Sequence, residues 1–247
     1  MSTSTLSVQL YTVREQLADD LPGTLERLAE VGFRQVEPYA FTAFGPALGA
    51  ALRAADLTAP TAHASFLGQD SDPIFAAASD LGIGTVIDPV VPAERWRTAE
   101  DVADIAHELN SAAEIAARHG VKVGYHNHAH ELENLIGGTT ALELLASQLS
   151  EEVILELDTY WAVVGGQDPI ELLGRLGSRV QAIHVKDGPG TAETKDQVAV
   201  GRGSLPIREI IAAAPHALRV IELDESRGDL FIAVSDSYRF LTETDRA

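Results

Sequence analysis

Four side chains in this sequence have the types and spacing to hold a divalent cation: His126, Asp158, His184 and Glu222. Each falls late in a short β-like run, and the four runs follow one another along the chain. Imidazole nitrogen and carboxylate oxygen suit a hard-to-borderline ion such as Mn, Zn, Co or Mg. Asp158 and Glu222 would also neutralise a dication locally. The sequence has no cysteine, so thiolate ligands and disulfides are excluded, and His, Asp and Glu must supply any metal site. A single strand histidine is more often a satisfied core or substrate-contacting residue than a ligand. On that ground His107, His119, His130 and His216 are read as core or surface residues, and His63 as one of these or as part of a pocket wall. His107 and His119 share a solvated helix with Glu108 and Glu114. Glu156 sits one inward step below Asp158 and is read as structural. The ligand reading rests on the joint pattern, four residues from consecutive strands, and not on any one of them.

Such a set needs a scaffold that gathers strand ends. Short β-like runs at 6–13, 35–40, 58–65, 85–90, 121–128, 153–159, 180–186 and 219–223 alternate with helix-like runs at 19–31, 44–55, 73–81, 98–119, 140–149, 169–176, 206–213 and 229–241. Thr98 is placed to cap the longest helix, and Gly32, Gly82 and Gly120 stop theirs. Eight βα units in one domain, residues 1–247, predict an α/β fold of the (β/α)8 TIM-barrel type. An open doubly wound sheet is the competing architecture, but no G-x-G-x-x-G follows the first strand and no Walker A motif is present. In a barrel the active site lies at the C-terminal ends of the strands. Alternation of side chains then offers, strand by strand, Gln9 and Tyr11, Glu37 and Tyr39, His63 and Ser65, Asp88, His126 and His128, Glu156 and Asp158, His184 and Lys186, Glu222 and Asp224. Buried ionisable groups are costly unless paired or bound to metal, so polar residues from all eight strands argue for a functional interior.

The 247 residues carry a formal net charge of -19. That balance argues against nucleic acid or an anionic membrane as a partner. Residues 1–5 are polar, no signal-like segment follows them, and no apolar run is long enough to span a bilayer. The expectation is a cytoplasmic enzyme acting on a small molecule.

Six words of the sequence resemble the sugar phosphate isomerase/epimerase family, the xylose isomerase-like barrels that also include endonuclease IV and inosose dehydratase. They are Ser7-Val-Gln-Leu-Tyr-Thr-Val-Arg-Glu15, Gly124-Tyr-His-Asn-His128, Leu155-Glu-Leu-Asp-Thr-Tyr-Trp161, Ile183-His-Val-Lys-Asp187, Val200-Gly-Arg-Gly203 and Val220-Ile-Glu-Leu-Asp224. Each is weak alone; their order covers nearly every strand end. The resemblance implies one divalent metal ion (Mn, Co, Zn or Mg) held by strands five to eight, with Asp158, His184 and Glu222 matching the family's Asp, His and final Glu. Many members have Glu where this sequence has His126, which departs from an epimerase using two carboxylates as paired bases. The Tyr-His-Asn-His word is closer to inosose dehydratase-like and keto-sugar lyase-like branches. Glu131 or Glu133 is the alternative to His126 as ligand or base.

The activity implied is isomerisation or epimerisation of a keto-sugar or related polyol through an enediolate, with dehydration or lysis of a keto-inositol or 3-keto-glycoside as the alternative. Glu222 or His128 would take the proton, and Lys186 would donate one or hold a negative charge. Gln9, Glu37, His63 and Arg202 would bind hydroxyls, and Trp161 would form an apolar wall. An endonuclease IV-like phosphodiesterase is disfavoured by the charge, and a non-catalytic sugar-binding barrel by the intact four-residue set. Barrels of this family often pair, and the Phe41–Phe44 region, read as exposed, would serve a homodimer or a lid.

Overall fold

A computed structural model describes residues 6–244; residues 1–5 and 245–247, the former part of the argument for a cytoplasmic protein, lie outside the described residues. In chain order the strands are β1 (Leu6–Val8), β2 (Thr61–His63), β3 (Thr85–Asp88), β4 (Lys122–His126), β5 (Leu135–Ile136), β6 (Thr139–Thr140), β7 (Val153–Asp158), β8 (Val180–Val185) and β9 (Leu218–Ile221). Seven of them form one parallel sheet in the order β1-β9-β8-β7-β4-β3-β2, and β5 and β6 form a small antiparallel hairpin. All six residues of β7 are buried, as expected of a parallel strand covered on both faces.

The second predicted strand, 35–40, is not a continuous ladder. It makes isolated parallel bridges, Gln9↔Glu37 on one side and Gln35↔Thr58 and Tyr39↔His63 on the other. Glu37 N donates to Val8 O at 2.8 Å and His63 N to Pro38 O at 2.7 Å, so the segment links β1 to β2 and completes the circuit. Pro38 has no N–H to extend the pairing. The barrel reading therefore holds, with one of its eight staves reduced to bridges.

The helices are α1 (Arg14–Asp19), α2 (Leu21–Val31), α3 (Pro46–Ala54), α4 (Asp72–Leu81), α5 (Ala99–Ala117), α6 (His130–Glu133), α7 (Ala141–Gln148), α8 (Thr159–Val164), α9 (Pro169–Leu176), α10 (Ile207–Ala213) and α11 (Leu230–Thr244). Thr98 caps α5 in a reciprocal capping box with Asp101, as its sequence foretells. None of the described helices is long and apolar enough to cross a membrane. The first strand stops earlier than predicted, because Gln9 Oε1 accepts from Tyr11 N and turns the chain into a 3-10 helix, Leu10–Val13. Helices α1, α6 and α8 fall outside the predicted helical runs, α1 but for its last residue, being too short to display a helical period. Helix α8 begins where Asp158 Oδ1 accepts from Tyr160 N and Trp161 N, at 2.9 Å each. The Phe41–Phe44 region is not the exposed patch expected: Phe41 is buried in the core, and half-buried Phe44 packs edge-on against Tyr39.

The irregular segment after β8 is organised by one carboxylate. Asp187 accepts from the N–H groups of Gly188, Gly201, Gly203 and Leu205 at 2.8–3.2 Å. Gly203 is required there, since a Cβ would overlap the Asp187 carboxylate. Replacing the buried Asp187 with Ala removes the acceptor of four N–H groups, of which those of Gly201 and Gly203 belong to exposed residues, and is expected to lower stability by about 1–2 kcal/mol. Urea unfolding of the variant against wild type checks this.

Candidate metal centre

Four strand ends converge on one buried point. His126 ends β4, Asp158 ends β7, His184 lies near the end of β8, and Glu222 follows β9; one ligand atom from each lies within 4.8 Å of all the others. Asn127 ties two of these ends together by accepting from Asp158 N at 2.9 Å. His126 Nε2 and His184 Nδ1 face Asp158 Oδ2 at 3.8 and 4.0 Å, and His184 Nδ1 is 2.7 Å from Glu222 Oε2. Asp158 Oδ2 makes no aligned hydrogen bond, although Lys186 Nζ lies 2.9 Å away. Lys186 Nζ also reaches Glu222 Oε2 at 2.7 Å and Asp224 Oδ2 at 2.8 Å.

Beneath this set lies a second layer. Glu156 Oε2 stands 2.6 Å from His63 Nε2, 3.1 Å from His184 Nε2 and 3.2 Å from His126 Nδ1. Glu37 Oε1 is 2.9 Å from His184 Nε2 and accepts from Gln9 Nε2 at 2.8 Å, while its other oxygen accepts from the Thr61 hydroxyl. These acceptors hold the back nitrogen of His184 as a donor and leave Nδ1 turned toward Asp158 and Glu222. Carboxylates behind metal-ligating imidazoles commonly fix tautomer and orientation in this way.

The electrostatics sort the groups into roles. Burial, with the nearby His184 charge, pushes His126 well below an ordinary imidazole, so it is neutral at pH 7 and fit to ligate. Burial also lowers His184, but Glu156 and Glu222 outweigh it and hold His184 well above its ordinary value. Burial raises Glu222, yet Lys186 and His184 keep it well below the usual carboxylate range. Asp158 is raised by burial that Lys186 only partly offsets. Two carboxylates, a neutral imidazole, a displaceable proton on His184 and a buried Asp158 oxygen already facing a cation, the Lys186 ammonium, fit a divalent ion.

The sequence matches the xylose isomerase-like TIM barrel family over residues 25–217. The chain belongs to that family. A sugar phosphate isomerase/epimerase from Parabacteroides distasonis superposes with a TM-score of 0.82 at 24% identity, covering 97% of this chain and 94% of the other. A zinc-bound IolI protein superposes at 0.71 with 15% identity, covering 97% of each chain. At those identities the likeness speaks for the fold. Among curated relatives, an inosose dehydratase from Geobacillus kaustophilus is 38% identical over 82 residues, which is 32% of this chain and 25% of the relative. The chain thus aligns with only about a quarter of that enzyme's length.

Within this xylose isomerase-like barrel the predicted site residues separate. His126, Asp158, His184, Glu222 and Lys186 come together at the strand ends, and His63, beside Glu156, lines the adjoining cavity with His126 and Glu222, in keeping with its reading as part of a pocket wall. His128 lines a cavity of about 400 Å³ above the set, together with Tyr11, Tyr39, Ser65, Val90 and Asp224. Gln9 and Glu37 do not reach that cavity; both are buried and committed to each other and to Thr61 and His184. Arg202 is exposed and lines no part of it, because the turn that carries it is anchored through the backbone of its neighbours Gly201 and Gly203. Trp161 packs beside His128, ring centroids 6.1 Å apart. Neither alternative to His126 enters the set. Glu131 accepts from the Tyr125 hydroxyl at 2.6 Å and from His128 N at 2.9 Å, and Glu133 is exposed.

Glu156 has the structural place expected of it, and the sequence does not show that three imidazoles meet on it. Its alternation with Asp158 placed it inward, but its partners come from strands distant in sequence. Tyr39 and Asp224 were visible as inward residues without a role.

An ion bound there would displace the His184 proton, so affinity is expected to rise with pH up to the raised value of His184. The sign in the metal-free protein is opposite. A raised imidazole adds stability that is full below about 6.5 and is lost as pH climbs through its folded value. At a hundredfold excess over Kd the ion adds about 2.7 kcal/mol of stability. Thermal melts at pH 6 and pH 8, with and without Mn²⁺, should show the larger metal-linked rise at pH 8.

Proposed function

We propose that this protein is a divalent-metal-dependent enzyme acting on a keto-sugar or related polyol, removing a proton next to a carbonyl to form an enediolate. The observation that carries the reading is His128. Its ring lines the cavity directly above the ligand set, and its Nδ1 has no hydrogen-bond partner. Burial lowers its proton affinity beyond what the Glu131 charge restores, so it is neutral and able to accept a proton at pH 7. An ion held by His126, Asp158, His184 and Glu222 would supply polarisation of the substrate carbonyl. The zinc in the IolI structure supports a metal in such a barrel.

The protein's own groups then divide the work. Burial works against the charged form of Lys186, but Asp158, Asp224 and Glu222 hold its proton affinity well above the ordinary value. It therefore serves as a fixed positive charge for developing oxyanion density, rather than as a proton donor. Tyr11 and Tyr39, in edge-to-face contact at 5.3 Å, wall one side of the cavity and offer ring faces to a sugar. Glu131 positions His128 through its backbone N–H. Return of the proton to the neighbouring carbon gives isomerisation, and return to the opposite face gives epimerisation.

Dehydration is the second reading. It uses the same enediolate with loss of a β-hydroxyl from a keto-inositol or 3-keto-glycoside. The inosose dehydratase similarity favours it. So does His126, an imidazole standing in one ligand set with Glu222 where two facing carboxylates would serve epimerisation.

A panel of keto-sugars, keto-inositols and 3-keto-glycosides with Mn²⁺, Co²⁺ or Zn²⁺ in D2O, read by NMR, tests the reading: deuterium should enter at one carbon and the product names the branch. Replacing His128 with Asn should lower turnover by about a hundredfold or more while metal uptake persists. The Glu222→Gln variant should fold and lose most turnover even at saturating metal.

A further inference from the structure

One ammonium group stands among three carboxylates in the protein interior. Lys186 is 1% exposed, and its Nζ lies 2.7 Å from Glu222, 2.8 Å from Asp224 and 2.9 Å from Asp158. Two of the oxygens it holds, Asp158 Oδ2 and Glu222 Oε2, belong to the ligand set described above. The third does not. Asp224 is fixed separately by Gln197, whose Nε2 donates to Asp224 Oδ2 at 2.7 Å and whose Oε1 accepts from Asp224 N at 2.7 Å. Gln197 is itself buried. A unit positive charge and a dication compete for the same two oxygens and repel each other, and in a buried site this repulsion is weakly screened.

We propose that Lys186 is a built-in competitor of the metal ion, and that Asp224, held in place by Gln197, is the carboxylate that keeps its ammonium when Asp158 and Glu222 take up the ion. No proton moves in this exchange: Lys186 stays charged, gives up its contacts to two carboxylates and retains the third. Metal affinity is then set partly by a residue pair, Asp224 and Gln197, that does not touch the ion. The inference rests on the metal-centre reading.

A double-mutant cycle on the full chain separates this from a general effect of negative charge. Affinities for Mn²⁺ and for Zn²⁺ are measured by calorimetry for wild type, Lys186→Met, Asp224→Asn and the double variant. Lys186→Met should bind about tenfold tighter and Asp224→Asn about tenfold weaker, while in the Lys186→Met background Asp224→Asn should change affinity by less than about twofold. Unchanged or weaker binding by Lys186→Met overturns the inference. So does an Asp224→Asn loss that persists undiminished without the lysine. Gln197→Leu leaves all the charges in place and should weaken binding about threefold or more through loss of the Asp224 anchor. Unchanged affinity there overturns the proposal even if a lysine variant does not fold. A folded wild type that takes up neither ion overturns the metal-centre reading, whereas uptake without these differences overturns the inference alone.

Discussion

The site depends on one buried carboxylate oxygen. Glu156 Oε2 meets imidazole nitrogens of His63, His126 and His184 at 2.6–3.2 Å, with all four side chains buried. Burial alone would raise the Glu156 carboxyl, but the charges of His184 and His63 overcome it and keep it well below the usual range. A fixed negative charge at the floor determines which way the rings turn. His63 Nε2 is hydrogen-bonded to Glu156 and His184 Nε2 to Glu37, while His126 Nδ1 faces Glu156 at 3.2 Å without an aligned hydrogen bond; the opposite nitrogens of His126 and His184 point at Asp158 and Glu222. Without such an acceptor the imidazoles would be buried polar groups in search of partners.

The strands that carry these groups are fixed by ordinary means. Parallel pairing sets Asp158 beside His184 and His126 beside Glu156 in register. Side chains at equal height therefore meet across the barrel interior. The cap that starts α8 uses one oxygen of Asp158 and leaves the other for the site, so a local helix rule and the candidate chemistry share a residue. Above this layer the positive charge of Lys186 offsets carboxylates that burial would otherwise neutralise. In the metal-free protein that ammonium itself is the cation these carboxylates hold.

Much of this was legible in the sequence. The alternation of β and α runs and the two-residue period at strand ends placed His126, Asp158, His184, Lys186 and Glu222 correctly on one face. Three things were not legible. Pro38 and the side-chain cap of Gln9 altered backbone pairing in ways that hydrophobic pattern does not register. The hub role of Glu156 depends on His63 and His126, which lie far away in sequence and meet it only after the barrel closes. The motif containing Arg202 was read from its side chain, whereas the structure uses its neighbours' backbone amides to hold the loop on Asp187. A sequence reports side-chain type directly, but backbone hydrogen bonding only through its consequences.

Among the described residues, two overlapping groups could seat an ion: the upper set of His126, Asp158, His184 and Glu222, and the lower set of His63, His126, Glu156 and His184. The upper set is the proposed metal site, and the lower set contributes the buried platform beneath it. Anomalous diffraction from crystals soaked in Mn²⁺ or Zn²⁺, collected at the metal absorption edge, separates them most directly. A single peak is expected among Asp158, Glu222, His126 Nε2 and His184 Nδ1. A peak seated among His63, Glu156 and His126 Nδ1, or no peak in this part of the barrel, would contradict it.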